Sequence, residues 1–364
     1  MGVEVAQSRS SVPQVTLDFL RGFAALYVVI NHTRGAFFVG GRELLATGSS
    51  VAHYLIVALL QLTALGAEFV VLFFVISGFS MAHSILHSTN IGSFYLKRLL
   101  RIWPSYLAAT AFAFFVGKLI GAEDIQKNVV LVAFYLHAET TVTPQFWSLP
   151  YEVFFYLLCP FILATRKTVV SALFLAIALC IATVAAFGLV LNPAPNFFFN
   201  FFGNELAFLA CGAVAYHYLD RIPKLKARPY WLLVTLLLAG AWLAKSLTNH
   251  INILSSAAMV CVAIISIRSF PDWLARTRWL NLGFFSYSIY LFNYAILLVA
   301  AWLCKLWLGI DPHTITNPIA WMAIVPLLLV GCYLGYLLTE RPSSLALNRI
   351  RQLQRQGRPV ALRT

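Results

Sequence analysis

Long runs of apolar residues alternate with short polar connections along the whole chain. Ten of these runs have about 20 residues, the length that an α-helix needs to cross the hydrocarbon core of a bilayer. The ten predicted spans cover 17–37, 67–87, 104–120, 147–165, 169–190, 197–219, 230–247, 251–267, 281–303 and 319–339. The connections are short, the longest being 38–66 and 121–146, so we expect no inserted water-soluble domain. The pattern predicts an all-α fold, a polytopic membrane bundle of about ten transmembrane helices.

Composition agrees with this prediction and excludes a water-soluble enzyme. The 364 residues are 60% hydrophobic and 11% charged, whereas a soluble domain has about 25% charged residues. The formal net charge of +13 would suggest a nucleic-acid partner in a soluble protein, but basic cytoplasmic loops explain it here, and we expect no such partner. The six cysteines lie in or beside apolar runs without paired spacing. We therefore expect neither a disulfide framework nor a metal site.

The positive charges predict the orientation. With the N-terminus inside, 19 of the 26 Lys and Arg residues lie on the cytoplasmic side, which fits the positive-inside rule and places both termini in the cytoplasm. We predict a cytoplasmic N-terminal segment 1–16, a membrane domain 17–342 that Pro342 ends, and a basic cytoplasmic tail 343–364. We expect that tail to be solvated and to touch anionic lipid. The short apolar segment 51–65 is interpreted as an interfacial or re-entrant helix, or as an outer extension of the second span.

Two ionisable residues lie inside the first span. Arg21 and His32 are eleven residues apart, a rotation of about 1100°, so both point from one helix face and lie about 16 Å apart along the axis. Ionisable groups inside a span cost about 2.5–3.5 kcal/mol and are candidates for function. The structural alternative is a snorkelling arginine and a hydrogen-bonded histidine.

An acidic residue, Glu152, lies in the outer half of the fourth span at a depth similar to that of His32. A carboxylate there could hold the tautomer of the imidazole and stabilise its charged form. The alternative is a structural hydrogen bond between helices. Glu205 also lies in the outer half of its span, and we leave its structural and functional interpretations open.

Further charged residues lie on the cytoplasmic side. Lys97, Arg98 and Arg101 come just before the third span, where they could bind phosphates or act as an ordinary positive-inside anchor. Tyr336 and Glu340 lie at the cytoplasmic end of the last span.

Six segments follow one another from the first span to the last: LDFLRGFAALYVVINH (17–32), LFFVISGF (72–79), FYLKRLLRIWPSY (94–106), FWSLPYEVFFYLL (146–158), GFFSYSIYLF (283–292) and YLLTERP (336–342). Together and in this order they resemble the membrane-bound acyltransferase 3 family, bacterial multi-span proteins that O-acylate polysaccharides and other exported molecules. The chain departs from the family at Val71, where many members have Asp, although Glu68 lies three residues earlier. It departs again at Asn293, where many members have His.

The resemblance implies a membrane-bound O-acyltransferase of the bacterial inner membrane. It would move acetyl from cytoplasmic acetyl-CoA to a hydroxyl of an exported or lipid-linked polysaccharide, with membrane lipid, the acyl-CoA and the glycan as its partners. His32 and Glu152 are the expected catalytic residues, with His32 acting as a general base or as a covalent acyl carrier. The expected donor-binding residues are Arg21, Arg98, Arg101, Tyr336 and Glu340. The alternatives are a succinyl or longer acyl donor, and a transporter or flippase without acyl chemistry.

Overall fold

The apolar runs form helices because a backbone in lipid must satisfy its own N–H and C=O groups within the segment. The computed structural model describes residues 14–48, 50–86, 91–136, 140–163, 204–248, 253–277, 282–309, 311–312 and 314–356. Within these ranges the regular structure is helical, and the β pairing is limited to an isolated bridge between Phe38 and Ile315. The all-α prediction is confirmed for this part of the chain.

The described residues form fourteen α-helices. They are α1 (Gln14–Phe37), α2 (Gly41–Thr47), α3 (Val51–Gln61), α4 (Gly66–Leu86), α5 (Ile91–Ile120), α6 (Glu123–Ala133), α7 (Leu149–Leu163), α8 (Asn204–Tyr218), α9 (Ala227–Thr248), α10 (Ile253–Ser269), α11 (Asp272–Ala275), α12 (Ser286–Leu303), α13 (Pro318–Gly335) and α14 (Arg341–Gln356). Short 3₁₀ segments cover Pro144–Ser148, Leu219–Arg221 and Leu282–Phe285, and π turns cover Cys304–Leu308 and Tyr336–Glu340.

Five helical segments in the described ranges are long and apolar enough to cross a membrane. They are Val51–Ile85, Ile91–Ile120, Ala227–Leu247, Leu282–Leu308 and Pro318–Arg349. The chain therefore has the helices of a multi-pass membrane protein. The predicted span 169–190 lies outside the described residues, and the count of ten spans and the cytoplasmic placement of both termini stay predictions.

The segment 51–65 is joined to the second predicted span. It forms α3 and a turn, Leu62–Leu65, that leads directly into α4. Eleven residues of helix rise about 16 Å, roughly half the thickness of the hydrocarbon core. The helix α3 is therefore too short for a separate crossing, which agrees with its sequence-based interpretation.

The prediction that Pro342 ends the last helix was wrong. A π turn over Tyr336–Glu340 follows α13, and α14 continues from there with Pro342 as its second residue. Proline is tolerated in the first turn of a helix, because the N–H that it lacks would have no intrahelical partner there. The helix α14 packs along α5 and buries Leu347, while most of its other described residues from 341 to 349 are exposed. The solvated tail that touches anionic lipid stays a prediction.

The chain divides into two compact units. The first comprises Met1–Gly35, Val39–His87 and Ser148–Ser286, and the second comprises Ala36–Phe38, Ser88–Trp147 and Tyr287–Thr364.

In the first unit, α4 packs against α7, α8 and α10. The backbones of α4 and α8 touch where glycines face the neighbouring helix. A Cβ atom on Gly78 would lie 1.8 Å from the carbonyl oxygen of Leu209, and a Cβ atom on Gly212 would lie 1.9 Å from that of Val75. Small residues permit this close approach of membrane helices.

In the second unit, α6 turns back along α5. The reversal occurs at Gly121, whose φ of +75° favours glycine. The Tyr106 hydroxyl on α5 donates to the carbonyl of Val132, near the end of α6, and the Tyr106 ring stacks on Tyr135 at a centroid distance of 4.2 Å. The segment 121–146, predicted as a connection, therefore lies in part against a membrane helix.

Candidate active site

The helix α1 carries both ionisable residues of the first predicted span. It is continuous from Gln14 to Phe37, so Arg21 and His32 share one helix, as predicted. The Arg21 Nη2 donates to the Ser80 Oγ on α4 at 2.6 Å, and its Nη1 lies 3.4 Å from the Asp18 Oδ1. Because the Arg21 side chain is only 13% exposed, it is held inside the unit. His32 is half-buried.

The carboxylate of Glu152 is held by two hydroxyl groups. Glu152 lies in the first turn of α7, the end of a helix that favours negative charge. Its Oε1 accepts a hydrogen bond from the Ser77 Oγ on α4 at 2.6 Å, and a second one from the Tyr156 hydroxyl one turn further along α7. The carboxylate therefore has a fixed position beside α4.

One segment of α4 joins the two predicted site residues. Ser77 binds Glu152, and Ser80 binds Arg21. The serines are three residues apart, so they are neighbours on the surface of α4. Neither serine was among the residues predicted for the site. Their signal was present in and beside the segment LFFVISGF (72–79), but hydroxyl residues are common in membrane helices and did not stand out.

A second polar cluster surrounds the position of His32 on α1. The Tyr27 hydroxyl donates to the Leu62 carbonyl at 2.6 Å, and the Asn31 Nδ2 donates to the Thr63 carbonyl at 2.7 Å. The Arg34 Nη1 donates to the Leu60 carbonyl at 2.8 Å. These three donors tie the C-terminal part of α1 to the end of α3 and to the turn that follows it. The predicted pairing of His32 with Glu152 stays a prediction.

In the second unit, Arg101 interacts electrostatically with Glu340. Glu340 is only 6% exposed, and its Oε2 accepts hydrogen bonds from the Ser288 Oγ at 2.7 Å and the Ser288 N–H at 3.2 Å. Ser288 lies in the first turn of α12, where backbone N–H groups lack intrahelical partners. Glu340 therefore caps α12, a structural role that the sequence did not indicate.

Two more of the residues predicted to bind the donor, Arg98 and Tyr336, lie in the second unit. The Arg98 guanidinium lies over the Phe94 ring, 5.6 Å from its centroid. Tyr336 stacks on Tyr333 at 5.8 Å and is within electrostatic reach of Glu340. Arg98, Arg101, Tyr336 and Glu340 are thus all in the second unit, whereas Arg21, His32 and Glu152 are in the first. Across the described ranges, no three His, Cys, Asp or Glu residues form a group that could hold a metal ion.

Comparison with known proteins identifies the family. The sequence model of the acyltransferase 3 family, described as an acyltransferase domain, matches residues 14–337. The chain is also similar to Nodulation protein 10 of Rhizobium leguminosarum bv. viciae, with 25% identity over 340 residues that cover 84% of this chain and 89% of that protein. No solved structure matches the chain. Because the family match covers most of the chain and its helices are those of a multi-pass protein, the chain is a membrane acyltransferase and belongs to the acyltransferase 3 family.

Proposed function

We propose that this acyltransferase is an O-acetyltransferase of the bacterial inner membrane. It takes acetyl from cytoplasmic acetyl-CoA and transfers it to a hydroxyl of an exported or lipid-linked polysaccharide. The observation that carries the proposal is the polar cluster inside the first unit, in which Arg21 and Glu152 are bound to Ser80 and Ser77 on α4. Arg21 of this cluster lies on the same helix, α1, as His32. Preorganised polar groups in an apolar bundle can stabilise the charge that develops during acyl transfer.

The reaction needs a base for the acceptor hydroxyl. The hydroxyl oxygen attacks the carbonyl carbon of the thioester, the C–S bond breaks, and the acetyl group becomes an ester. His32 takes the hydroxyl proton and returns it to the CoA thiolate, so charge and protons balance. An imidazole suits this task because its pKa lies near neutrality. Glu152 stabilises the imidazolium that forms.

A covalent route through His32 is the mechanistic alternative. The imidazole would first attack the thioester and release CoA, and the acceptor hydroxyl would then take the acetyl group from the nitrogen.

The donor is assigned to the arginines. Planar guanidinium groups bind phosphate oxygens through paired hydrogen bonds, so Arg98 and Arg101 would hold the phosphates of CoA. Tyr336 and Glu340 would complete this group, with Glu340 acting through its interaction with Arg101. Arg21 has five N–H donors, so a phosphate could be added to its contacts with Asp18 and Ser80.

Transfer of a radioactive acetyl group tests the proposal. The purified protein in liposomes is given [acetyl-¹⁴C]acetyl-CoA and a lipid-linked glycan, and the label is located in glycan, protein or water. We expect label in the glycan with wild type. With His32→Ala we expect none, at a normal yield of folded protein. Label on the protein that both acid and hydroxylamine remove, as expected for an acetyl-imidazole, and that is absent from His32→Ala would decide for the covalent route.

Three results would contradict parts of this proposal. Transfer by His32→Ala would remove His32 from the chemistry. Transfer from succinyl-CoA but not from acetyl-CoA would change the donor. Movement of the glycan across the bilayer without any acyl transfer would replace the enzyme by a flippase.

A further inference from the structure

An ion pair with a fully buried carboxylate, from the first turn of α4, lies in the first unit. Glu68 is fully buried, and its Oε2 lies 2.8 Å from the Nζ of Lys245 on α9. Its other oxygen, Oε1, accepts a hydrogen bond from the Ser255 Oγ on α10 at 3.4 Å. Both carboxylate oxygens are therefore engaged by side chains from two other helices.

Stability alone does not account for this pair. Charged groups inside a membrane protein are costly, and replacing a buried ion pair by apolar residues of similar volume is often neutral or stabilising. The Lys245 Nζ, however, has a second partner, because it also donates to the Ala64 carbonyl at 2.6 Å. An ammonium group has three N–H donors and can bind a carboxylate and a carbonyl together. An apolar side chain could bind neither.

Ala64 belongs to the turn Leu62–Leu65, which also accepts hydrogen bonds from α1. The carbonyls of Leu62 and Thr63 accept hydrogen bonds from Tyr27 and Asn31 on α1. Asn31 directly precedes His32 in the sequence. The turn thus connects Lys245 to the part of α1 that carries His32.

We propose that Glu68 and Lys245 are positioning residues for His32. The ion pair fixes the Ala64 carbonyl, this fixes the turn Leu62–Leu65, and the turn fixes the outer part of α1 through Tyr27 and Asn31. Neither charged residue touches the reacting atoms. The inference rests on the proposed role of His32 and adds the groups that set its position.

The first test reads the position of residue 32 without measuring activity. His32→Cys is placed in a cysteine-free background, and its reaction rate with a small thiol reagent is measured in liposomes. The rate is compared with and without the double change Glu68→Gln and Lys245→Met, which removes both charges together. We expect the double change to alter the rate. An unchanged rate in a folded protein would overturn the proposal.

The second test measures turnover with His32 in place. The double change should lower kcat by about tenfold or more, because small misplacements of reacting groups are expensive, and should leave the KM for acetyl-CoA unchanged. Lys245→Arg keeps the charge and should recover most of the kcat. The matched control is the exposed pair Lys127–Glu123, whose Nζ–Oε2 distance is 2.6 Å. Its double change to Met and Gln should alter neither constant.

The outcomes separate this inference from the proposed function. A wild-type protein without acetyl transfer contradicts the proposed function, yet the thiol reaction still decides whether the pair positions residue 32. A wild-type kcat in the folded double variant contradicts the positioning role alone. If the double variant does not fold, Lys245→Met by itself gives the same decision, since it removes the ammonium group that binds the Ala64 carbonyl.

Discussion

The hydrogen bond between Ser77 and Glu152 offers the sharpest test of the proposed site. Ser77→Ala removes the hydroxyl that donates to the Glu152 Oε1 at 2.6 Å. It leaves the second donor, the Tyr156 hydroxyl, in place. Alanine is a good helix former, so α4 should stay helical and only the polar contact should be lost.

The expected effect of Ser77→Ala depends on whether the hydrogen bond contributes to folding stability or to the transition state of the reaction. Side-chain hydrogen bonds in membrane bundles contribute about 0.6 kcal/mol to stability. Glu152 is only half-buried and keeps its hydrogen bond from Tyr156. Loss of the Ser77 hydrogen bond should therefore lower the free energy of unfolding by about 0.6 kcal/mol. A hydrogen bond to a charged group is worth about 1.5–3 kcal/mol, and about 1.4 kcal/mol corresponds to a factor of ten in rate. If ionised Glu152 stabilises the imidazolium of His32, kcat should fall by about 10- to 100-fold.

Kinetics and thermal unfolding of the same preparation distinguish the two cases. We expect a low kcat, an unchanged KM for acetyl-CoA and a Tm close to that of wild type. Ser77→Thr, which restores a hydroxyl, should recover activity. The control is Ser246→Ala, because the Ser246 hydroxyl donates to the Trp242 carbonyl of its own helix at 2.8 Å. A normal kcat with a lowered Tm would refute the reasoning and leave Ser77 as a packing residue.

Three further predictions concern other parts of the molecule. Arg98→Ala should raise the KM for acetyl-CoA without changing Tm. Arg101→Ala should raise the same KM and also lower Tm, because it removes a positive charge that acts on the buried Glu340. Kinetics and thermal unfolding check both variants. Gly78→Ala should destabilise the protein by about 1–3 kcal/mol, because its Cβ would lie 1.8 Å from a backbone oxygen. Gly240→Ala, whose Cβ meets nothing within 4 Å, should not destabilise the protein in denaturant titrations, since alanine favours a helix more than glycine does. Burial raises the pKa of Asp124, but hydrogen bonds from backbone N–H groups and from the Thr141 hydroxyl outweigh it, so the net pKa is lowered. Ionised Asp124 therefore stabilises the folded state above its ordinary pKa, and this contribution disappears as pH falls through the lowered value. The Tm of Asp124→Asn should be lower than that of wild type at neutral pH, and the difference should shrink below about pH 4; a constant difference would contradict this assignment.

The sequence predicts the helices, and the placement of Arg21 and His32 on one of them, because both features depend on residues that are close in the sequence. A membrane-spanning helix needs a long apolar run, so its presence is visible in a local window. The angular relation of Arg21 to His32 follows from helix geometry alone. Both predictions depend on residues that are close in the sequence, and α1 contains both residues in one continuous helix.

The contacts of the site could not be predicted because they join distant segments. Ser80 binds Arg21, 59 residues away, and also donates to the Ile76 carbonyl of its own helix. A serine with only the second bond would look the same in the sequence. Lysines near the end of a span usually reach water, so the sequence alone indicates a solvated charge at Lys245. Its partner Glu68 is 177 residues away.

The segment 77–80 shows why packing and polar contacts are coupled in α4. Ser77 faces Glu152 on α7, and Ser80 faces Arg21 on α1, whereas Gly78 touches the backbone of α8. Successive residues of a helix are separated by about 100°, so four consecutive positions can address three neighbouring helices. A larger residue at position 78 would push α8 away from α4 and would move the adjacent Ser77 relative to α7. Packing at Gly78 and hydrogen bonding at Ser77 and Ser80 therefore constrain one another. A larger residue at position 78 should weaken the hydrogen bonds of the two serines.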